Sequence, residues 1–524
     1  MLDAWRRRAA RWIAPKGSKV ITRQYAGARN TALTGGFGSS GNTSADSELS
    51  LGLVQLRARS RQLMRDAPYA KRARVIVVNN VVGAGVGLQA QVKNSRGELH
   101  ARINADIEAA WDKWTRAENC HTGGALHFAD LERACMAEVF TAGEAFDRKH
   151  YAAFGRSEVP LALELIEAER VADNYSVPQA MAPANVRLGV EVDSFGRAQA
   201  YWIRELHPGE VRMGGAATAR LVRVPADDIL HIRVVDRWPQ TRGEPWLHAV
   251  LRKLNDMEEY TASELTAARM SANYFATLES PDADPLPTEK QADGTRQLNI
   301  EPGMIDQLAP GDALKFHAPN RPNAALDPFM RYMLREFAAG IGVSYESVSR
   351  DYSQSNYSSS RLALLDDRDL WRVLQQWWAR SFREPLHRTW MRQAVMAGAI
   401  PSISREQFAL DPERFLAVRW KFRGWSWVDP TKEVDAYEKA VRCGFTTVSA
   451  VIAQTGGGVD IEDVIAERKD ELAKFEEAGI EVDTTVAETP DAPMPAPASD
   501  PATEGDQNAT DEPPQPARVV SIAR

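Results

Sequence analysis

Asp366, Asp367 and Asp369 crowd three carboxylates into one stretch of the chain. Oxygen ligands at that density could hold a divalent cation for phosphodiester hydrolysis. They also open a helical pattern, where acids meet the positive end of the helix dipole, and a solvated helix start accounts for them more simply. Cys120, His121, His127 and Cys135 lie close in sequence, but their spacing fits no standard zinc site. A buried helical cysteine with surface histidines explains them better. "VVGAGVGL" offers Gly83, Gly85 and Gly87, but a dinucleotide fingerprint needs glycine where Leu88 stands. These glycines are expected at a helix end or bulge. Walker A, HExxH and GxSxG patterns do not occur. The expectation is a structural or binding protein, not an enzyme, with no cofactor and no metal.

The elements carrying these residues must come from a chain of 524 residues, long enough for two or three domains and a sizeable core. Fourteen tryptophans point to extensive packing or subunit contact. A net charge of −7 argues against a simple grip on nucleic acid, which calls for a basic surface. Three cysteines without CxxC spacing suit a reducing compartment. The opening "MLDAWRRRAARWIAPKG" lacks the apolar stretch of a secretory signal, and no run reaches the ~20 apolar residues of a membrane helix. Its arginines read as a solvated tail, or as a docking helix for an acidic partner.

Residues 26–48 are rich in Gly, Ser and Thr, an irregular arm. Helical periodicity begins at Glu48, with Leu49, Leu53, Leu56 and Leu63 on one face. A second helix restarts after Asp66 as N-cap with Pro68 in its first turn. "INADIEAAWDKWTRA" and "FADLERACMAEVFTAG" add two helices, and residues 160–235 turn to strands with a hairpin in "GVEVDSFGRAQAYWI". The front half is thus α+β. A helix free of internal Pro and Gly is expected over 246–279, and a second after Asp327 and Pro328 up to Gly342. Between them lies a Pro-, Gly- and Asp-rich insert of small strands. A third long helix runs to Gly398 and should kink at Pro385. Further helices follow Asp429-Pro430 and Asp460, and from Thr484 an acidic, Pro/Ala-rich tail cannot bury enough apolar surface to fold. The fold class is α+β, largely helical. Between the second and third long helices stands "DYSQSNYSSSR", Asp351 to Arg361, dense in hydroxyls and amides and charged only at its ends.

The order of these segments resembles the lambda-type branch of the phage portal proteins, over roughly residues 57 to 477. The matching stretches are "YAKRARVIVVNNVVGAGVGLQ", "ELIEAERV", "GVEVDSFGRAQAYWI", "VPADDILHI" with "RWPQTRGEPWL", "IEPGMIDQLAPGD", "FAAGIGVSYESVSRDYSQSNYSSSR" and "WSWVDPTKEVDA". The resemblance implies the portal fold: an arm (1–48), a wing (49–245), stem helix 1 (246–279), a clip (280–325), stem helix 2 (326–348), a tunnel loop (349–361), a kinked wing helix with further wing (362–429), a crown (430–480) and a tail (481–524). It also implies a homo-oligomeric ring of about twelve subunits at one capsid vertex. Double-stranded DNA would pass through the channel without sequence specificity. The expected partners are the terminase large subunit, major capsid and scaffold proteins, and head-tail connector proteins, with no membrane. The chain is then expected in the virion, and in host cytoplasm during assembly.

Under that resemblance Ser353, Gln354, Ser355, Asn356, Tyr357 and Ser358 line the DNA channel, and Asp306, Asp312 and Lys315 of the clip dock the packaging motor. Hydroxyls and amides can bond phosphate without the charge that would trap it. Ser358, Ser359 and Ser360 are expected to cap the following helix. The tyrosines could instead pack a subunit interface, and Asp351 and Arg361 could pair between subunits. About twelve copies at −7 each carry about −84, a field that keeps a polyanion off the walls. Two other functions fit the residues: a metal-dependent nuclease or maturation hydrolase built on Asp366 and its neighbours, and a capsid scaffold or adaptor without DNA.

Overall fold

A computed structural model describes residues 42–177, 185–210, 220–273, 276–279, 313–316, 325–425, 430–455 and 461–479. The arm up to residue 41, most of the clip and the tail from residue 480 lie outside the described residues, as do Asp429 and Asp460. Helix α1 (Ala45–Asp66) starts three residues before the periodicity does, because Ser44 accepts from the Ser47 amide and Asp46 and Glu48 favour the first turn. Asp66 proves to be its last residue. The cap of α2 (Pro68–Val81) is Ala67, which makes no side-chain bond, since Pro68 at the first position has no amide to satisfy. Gly83 (φ 65°) and Gly85 (φ 122°) then turn the chain into β1 (Gly87–Ala90), and a Cβ on Gly85 would sit 2.7 Å from that of Ala129.

Next come α3 (Ala101–Trp114), the short α4 (Ala117–Cys120) and α5 (Phe128–Ala142), followed by β2 (Glu144–His150) and β3 (Ala162–Ile166). The wing sheet is β4 (Asn185–Arg187), β5 (Val190–Val192), β6 (Ala198–Arg204) and β7 (Leu221–Pro225), antiparallel in that order. The expected hairpin turns at Asp193, whose carboxylate takes the Phe195 and Arg197 amides. Strand β8 (Ile229–Arg233) returns to pair with β2, giving the order β3–β2–β8.

The first long helix, α6, spans Leu251–Asn273. It is shorter than its pattern at both ends: residues 246–250 form turns, and Ala276–Glu279 is strand β9, paired with β10 (Ala313–Phe316). The segment follows the pairing partner supplied by the insert, and tertiary pairing overrides the helical run. Then come α7 (Leu326–Ile341), ended by Gly342 at φ 82°, and α8 (Tyr345–Ser349). Asp327 lies in the first turn of α7 but does not cap it; the N-cap is Ala325. Helix α9 (Tyr357–Trp378) runs through a π-helical turn (Ala379–Arg383) into α10 (Glu384–Ala397). The expected kink takes this form because Pro385 cannot donate to the preceding turn and clashes with it, and a wider turn relieves both. The unit continues through α11 (Arg405–Leu410), α12 (Pro412–Phe415), β11 (Val418–Lys421, antiparallel to β1), α13 (Pro430–Arg442) and α14 (Val448–Thr455). The chain divides into two compact units, Met1–Ile461 and Glu462–Arg524; the described part of the second is the body of α15 (Ile461–Glu477) and the residues to 479. No helix among the described residues is long and apolar enough to cross a membrane.

Two buried ionic clusters tie the first unit together. Glu144 on β2 accepts from Arg57 on α1, from Arg242 (2.7 Å), from His231 on β8 (2.8 Å) and from the Gly243 amide (2.8 Å). Arg242 spends its other donors on the carbonyls of Leu188 (2.6 Å) and Ala168 (2.9 Å), which joins the wing sheet to the same carboxylate. Burial alone would raise the Glu144 pKa, but Arg242 and Arg57 hold it well below the usual carboxylate range. Burial, and Arg233 beside it, lower His231 to about 3. The ring is therefore neutral, its Nε2–H donates to Glu144, and its Nδ1 accepts from Arg233 Nη1 (2.9 Å) and the Tyr201 hydroxyl (3.2 Å). In the second cluster Glu132 on α5 pairs with Arg383 of the π-helical turn (3.2 Å) and accepts from the Trp378 indole (3.1 Å). The Arg383 guanidinium lies 4.5 Å from the Trp420 ring centroid and 5.0 Å from that of Phe128. Trp111 packs against it and Trp114 and Trp390 against Trp111, so these tryptophans serve the core of one chain.

Asp147, also on β2, is fully buried beside the Cys135 thiol, and neither of its oxygens has an N–H or O–H partner among the described residues. Burial pushes its carboxyl up to about 7. A proton held more tightly in the folded state than in the unfolded chain, where the pKa is about 3.9, means that stability is full below about pH 4 and falls as pH rises toward 7. Asp147→Asn removes that titration. The variant is expected to gain roughly 2–4 kcal/mol over the parent at pH 8 and nothing at pH 4, in denaturant melts run at both values. An equal effect at both pH values contradicts this.

Candidate functional site

The polar loop lies between α8 and α9, and the sequence of each flank fixes it. Helix α8 ends at Arg350, which takes a left-handed backbone (φ 57°) as its amide bonds the Glu346 carbonyl (2.9 Å). Asp351 then folds back: it accepts from the Tyr345 hydroxyl (2.9 Å) and the Ser353 amide (3.0 Å), with Arg331 of α7 3.5 Å away. Ser353, and after it Tyr345, hold the Asp351 carboxyl down to about 2, so it is charged at any assembly pH. The far flank is closed by Asn356. Its side chain accepts from the Ser359 amide (2.8 Å), and the Ser359 hydroxyl accepts from the Asn356 amide (3.1 Å), a reciprocal capping box. The cap is therefore Asn356, not the three serines; an amide side chain at N-cap reaches the third amide, and Ser359 serves as its partner.

The loop proper is thus Asp351–Asn356, and Tyr357 and Ser358 belong to the first turn of α9. Ser353, Gln354, Asn356, Tyr357 and Ser358 are exposed and Ser355 is half-buried, its hydroxyl donating to the Tyr352 carbonyl (3.1 Å). All six residues expected at the channel fall together on this short segment. Tyr352 and Tyr357 are 60% and 58% exposed, so neither is packed within its own chain. Arg361 pairs with Glu433 on α13 at 3.8 Å, and Asp351 with Arg331, which occupies both end charges inside one chain.

Beneath the loop lies a residue whose role the sequence reading missed. Asp367 is not a solvated acid: it is 4% exposed and accepts from the Ser344 amide (2.8 Å), the Ser344 hydroxyl (2.7 Å) and the Ser347 hydroxyl (2.6 Å). It thereby locks α8 onto α9 and fixes the separation of the two loop flanks. The signal was present, because Asp367 shares a stripe with Trp371, Leu374 and Trp378, all buried. Asp366 and Asp369 are exposed, and Asp369 pairs with Arg372 (2.7 Å), so the three carboxylates do not converge on a common metal position. Among the described residues the group that could hold a cation is Asp236, Glu244 and His248, away from these acids in sequence. Asp367→Asn is expected to lose roughly 1.5–3 kcal/mol of charge-assisted bonding. Hydrogen exchange should quicken selectively at amides 344–356; uniform exchange would contradict the clamp.

The supports of the loop are α6 and α7. Lys253 pairs with Glu336, the Trp246 indole donates to the Ile341 carbonyl (3.2 Å), and the Tyr260 and Phe329 rings meet at 5.0 Å. Gly340 lies directly against Val250, where a Cβ would collide. Of the clip residues, Asp306 and Asp312 lie outside the described residues, and Lys315 stands on β10 opposite Thr277. Cys120 and Cys135 are buried, while His127 accepts from the Ala129 amide at the start of α5 and His121 from the amides of Ala125 and Leu126, which agrees with structural roles.

The family model described as phage portal protein, lambda family, matches residues 34–375. The chain is similar to the probable portal protein of Halomonas phage phiHAP-1 (27% identical over 473 residues, 88% of each chain). It is also similar to portal protein B of Escherichia phage lambda (22% over 510 residues, 89% of this chain and 93% of that one). Among solved structures, the neck of a native gene transfer agent particle computed with C12 symmetry aligns over 76% of this chain and 93% of its own, at 14% identity and TM-score 0.41. An HK97 family phage portal protein from Corynebacterium diphtheriae aligns over 59% and 84%, at 12% identity and TM-score 0.29.

Proposed function

Since this chain belongs to the lambda family of phage portal proteins, we infer that its residues divide the work of a ring at the capsid vertex between a rigid frame and a weakly interacting channel loop. About twelve copies close head to tail, and the loop Asp351–Asn356 of each faces the bore. The observation that carries this reading is the loop itself: an exposed row of hydroxyl and amide groups whose one carboxylate is already occupied, held at both flanks by Asp351 and Asn356 and from below by Asp367. Such groups bond phosphate oxygens briefly and without counterion release, so duplex DNA can move past during packaging and ejection. Serine and asparagine on a free-standing surface would do the same badly; the fixed flanks hold them in place.

The clip, with Asp306, Asp312 and Lys315, presents the surface for the terminase large subunit, and the head-tail connector proteins take that place after packaging. Capsid and scaffold proteins meet the wing, and assembly proceeds in the host cytoplasm. Ring closure is tested by light scattering of the purified protein, which should give a mass many times that of one chain. A stable monomer under native conditions would contradict it. Replacing Asp306, Asp312 and Lys315 together by alanine is expected to weaken capture of the terminase large subunit at least about tenfold, the equivalent of about 1.4 kcal/mol. Unchanged capture would remove the docking assignment and leave the ring untouched.

A further inference from the structure

Arg350 is one of two residues other than glycine that take a positive φ among the described residues, and it does so at the position where a helix end favours glycine. A side chain kept there against the backbone's preference is expected to do something the backbone does not need. Arg350 is exposed, and none of its guanidinium donors has a hydrogen-bond or ion-pair partner among the described residues. Behind it stands Arg72 of α2, whose Nε donates to the Ser347 carbonyl (3.3 Å) in the same α8 turn, and whose terminal nitrogens are likewise unpartnered. Of the other cations of this region, Arg331 is neutralised by Asp327 and Asp351 and Arg361 by Glu433, while Arg335 lies 5.4 Å from the Tyr345 ring centroid. Burial lowers the Arg72 pKa and the charge of Arg350 lowers it further, while Tyr352 pulls the other way and no carboxylate contributes. Two guanidiniums therefore stand close enough at the base of the loop to repel each other, and neither is paired with a carboxylate among the described residues.

We propose that Arg350, backed by Arg72, is a phosphate-binding position of the DNA channel, where the polar loop is supplemented by an exposed cation with no carboxylate partner among the described residues. The proposal rests on the loop facing the bore. It gives the ring two kinds of contact: neutral groups on Ser353–Asn356 that let DNA move, and a single guanidinium per subunit that holds a phosphate when movement stops. A guanidinium is suited to this because its planar fork meets two phosphate oxygens at once. One cation per subunit adds little drag, since only the copies that face a phosphate engage at any moment. A neighbouring subunit's carboxylate is the rival occupant, and the test separates the two.

Arg350→Gly is the informative substitution, because glycine suits the left-handed position better than arginine. Rings of the parent, of Arg350→Gly, of Arg350→Lys and of a variant lacking Ser353–Ser355 are compared for size, melting temperature and affinity for a labelled linear duplex over a salt series. Arg350→Gly is expected to form rings of parental size and to melt no lower. Its affinity for the duplex should drop at least tenfold at low salt, and its salt slope should become shallower by about one or more. Arg350→Lys should retain most of the binding. Unchanged affinity and slope in Arg350→Gly overturn the proposal, and if the loop-shortened ring is still impaired, the channel reading survives. Failure of Arg350→Gly to close into rings also overturns it, by assigning the arginine to a subunit contact. If neither Arg350→Gly nor the loop-shortened ring differs from the parent, both the proposal and the channel assignment fall.

Discussion

Replacing Glu144 by glutamine is expected to cost about 3–5 kcal/mol of folding free energy, read from denaturant melts at neutral pH. The carboxylate answers two fully buried guanidiniums, Arg57 and Arg242, and the neutral imidazole of His231. Glutamine keeps the shape but removes the charge, and it turns an NH2 group toward donors that need an acceptor. Breaking a buried ion pair by deleting one partner costs more than the pair contributes, because the partner left behind remains buried and charged. Against a typical total of about 5–15 kcal/mol, the loss is large enough to detach the wing sheet, which Arg242 joins to the helices through Leu188 and Ala168. The same cluster, with His387 of the Arg383 cluster, sets the acid limit. His231 and His387 are both lowered to about 3 by burial, so the stability that comes from keeping them neutral is present above about pH 6.5 and is lost as pH falls toward 3. A loss under 1 kcal/mol in Glu144→Gln would mean that the two arginines find water, and the cluster would then not be the joint between sheet and helices.

Removing Ser353, Gln354 and Ser355 while keeping Asn356 is expected to leave ring size and melting temperature unchanged and to reduce DNA-filled heads at least about tenfold. The choice of boundaries follows from the geometry: Asn356 and Ser359 form the capping box of α9, so a deletion that reached Ser359 would fray the helix and confuse two effects. Asp351 must also stay, since its bond to Tyr345 and its approach to Arg331 hold the near flank once Ser353 is gone. Filled heads in normal numbers would show that the exposed serines touch nothing that matters for packaging.

Much of this arrangement could be read from local pattern. The helices α3, α5, α7 and α9, the Asp193 hairpin and the turn at Gly83 and Gly85 follow periodicity and backbone freedom, which are properties of neighbouring residues. What escaped depends on partners far along the chain. Asp367 looked like a dipole-stabilised surface acid because the serines it binds lie on another helix, although its place in the Trp371–Trp378 stripe marked it as buried. Glu144, Arg57 and Arg242 gave no local signal, as residues on three separate elements meet only after folding. The end of α6 was misplaced for the same reason, since β9 exists through its pairing with β10 across the clip. Arg350 was passed over because a left-handed arginine has no sequence signature; glycine would have announced the position.

The most direct test is an electron cryomicroscopy reconstruction of the purified full-length protein. The account predicts closed rings with a central channel whose narrowest level is formed by residues 350–356 of every subunit, the Ser353 to Asn356 side chains facing inward. Rings whose bore is lined by other segments, with this loop at a subunit seam or on the outer rim, would contradict it.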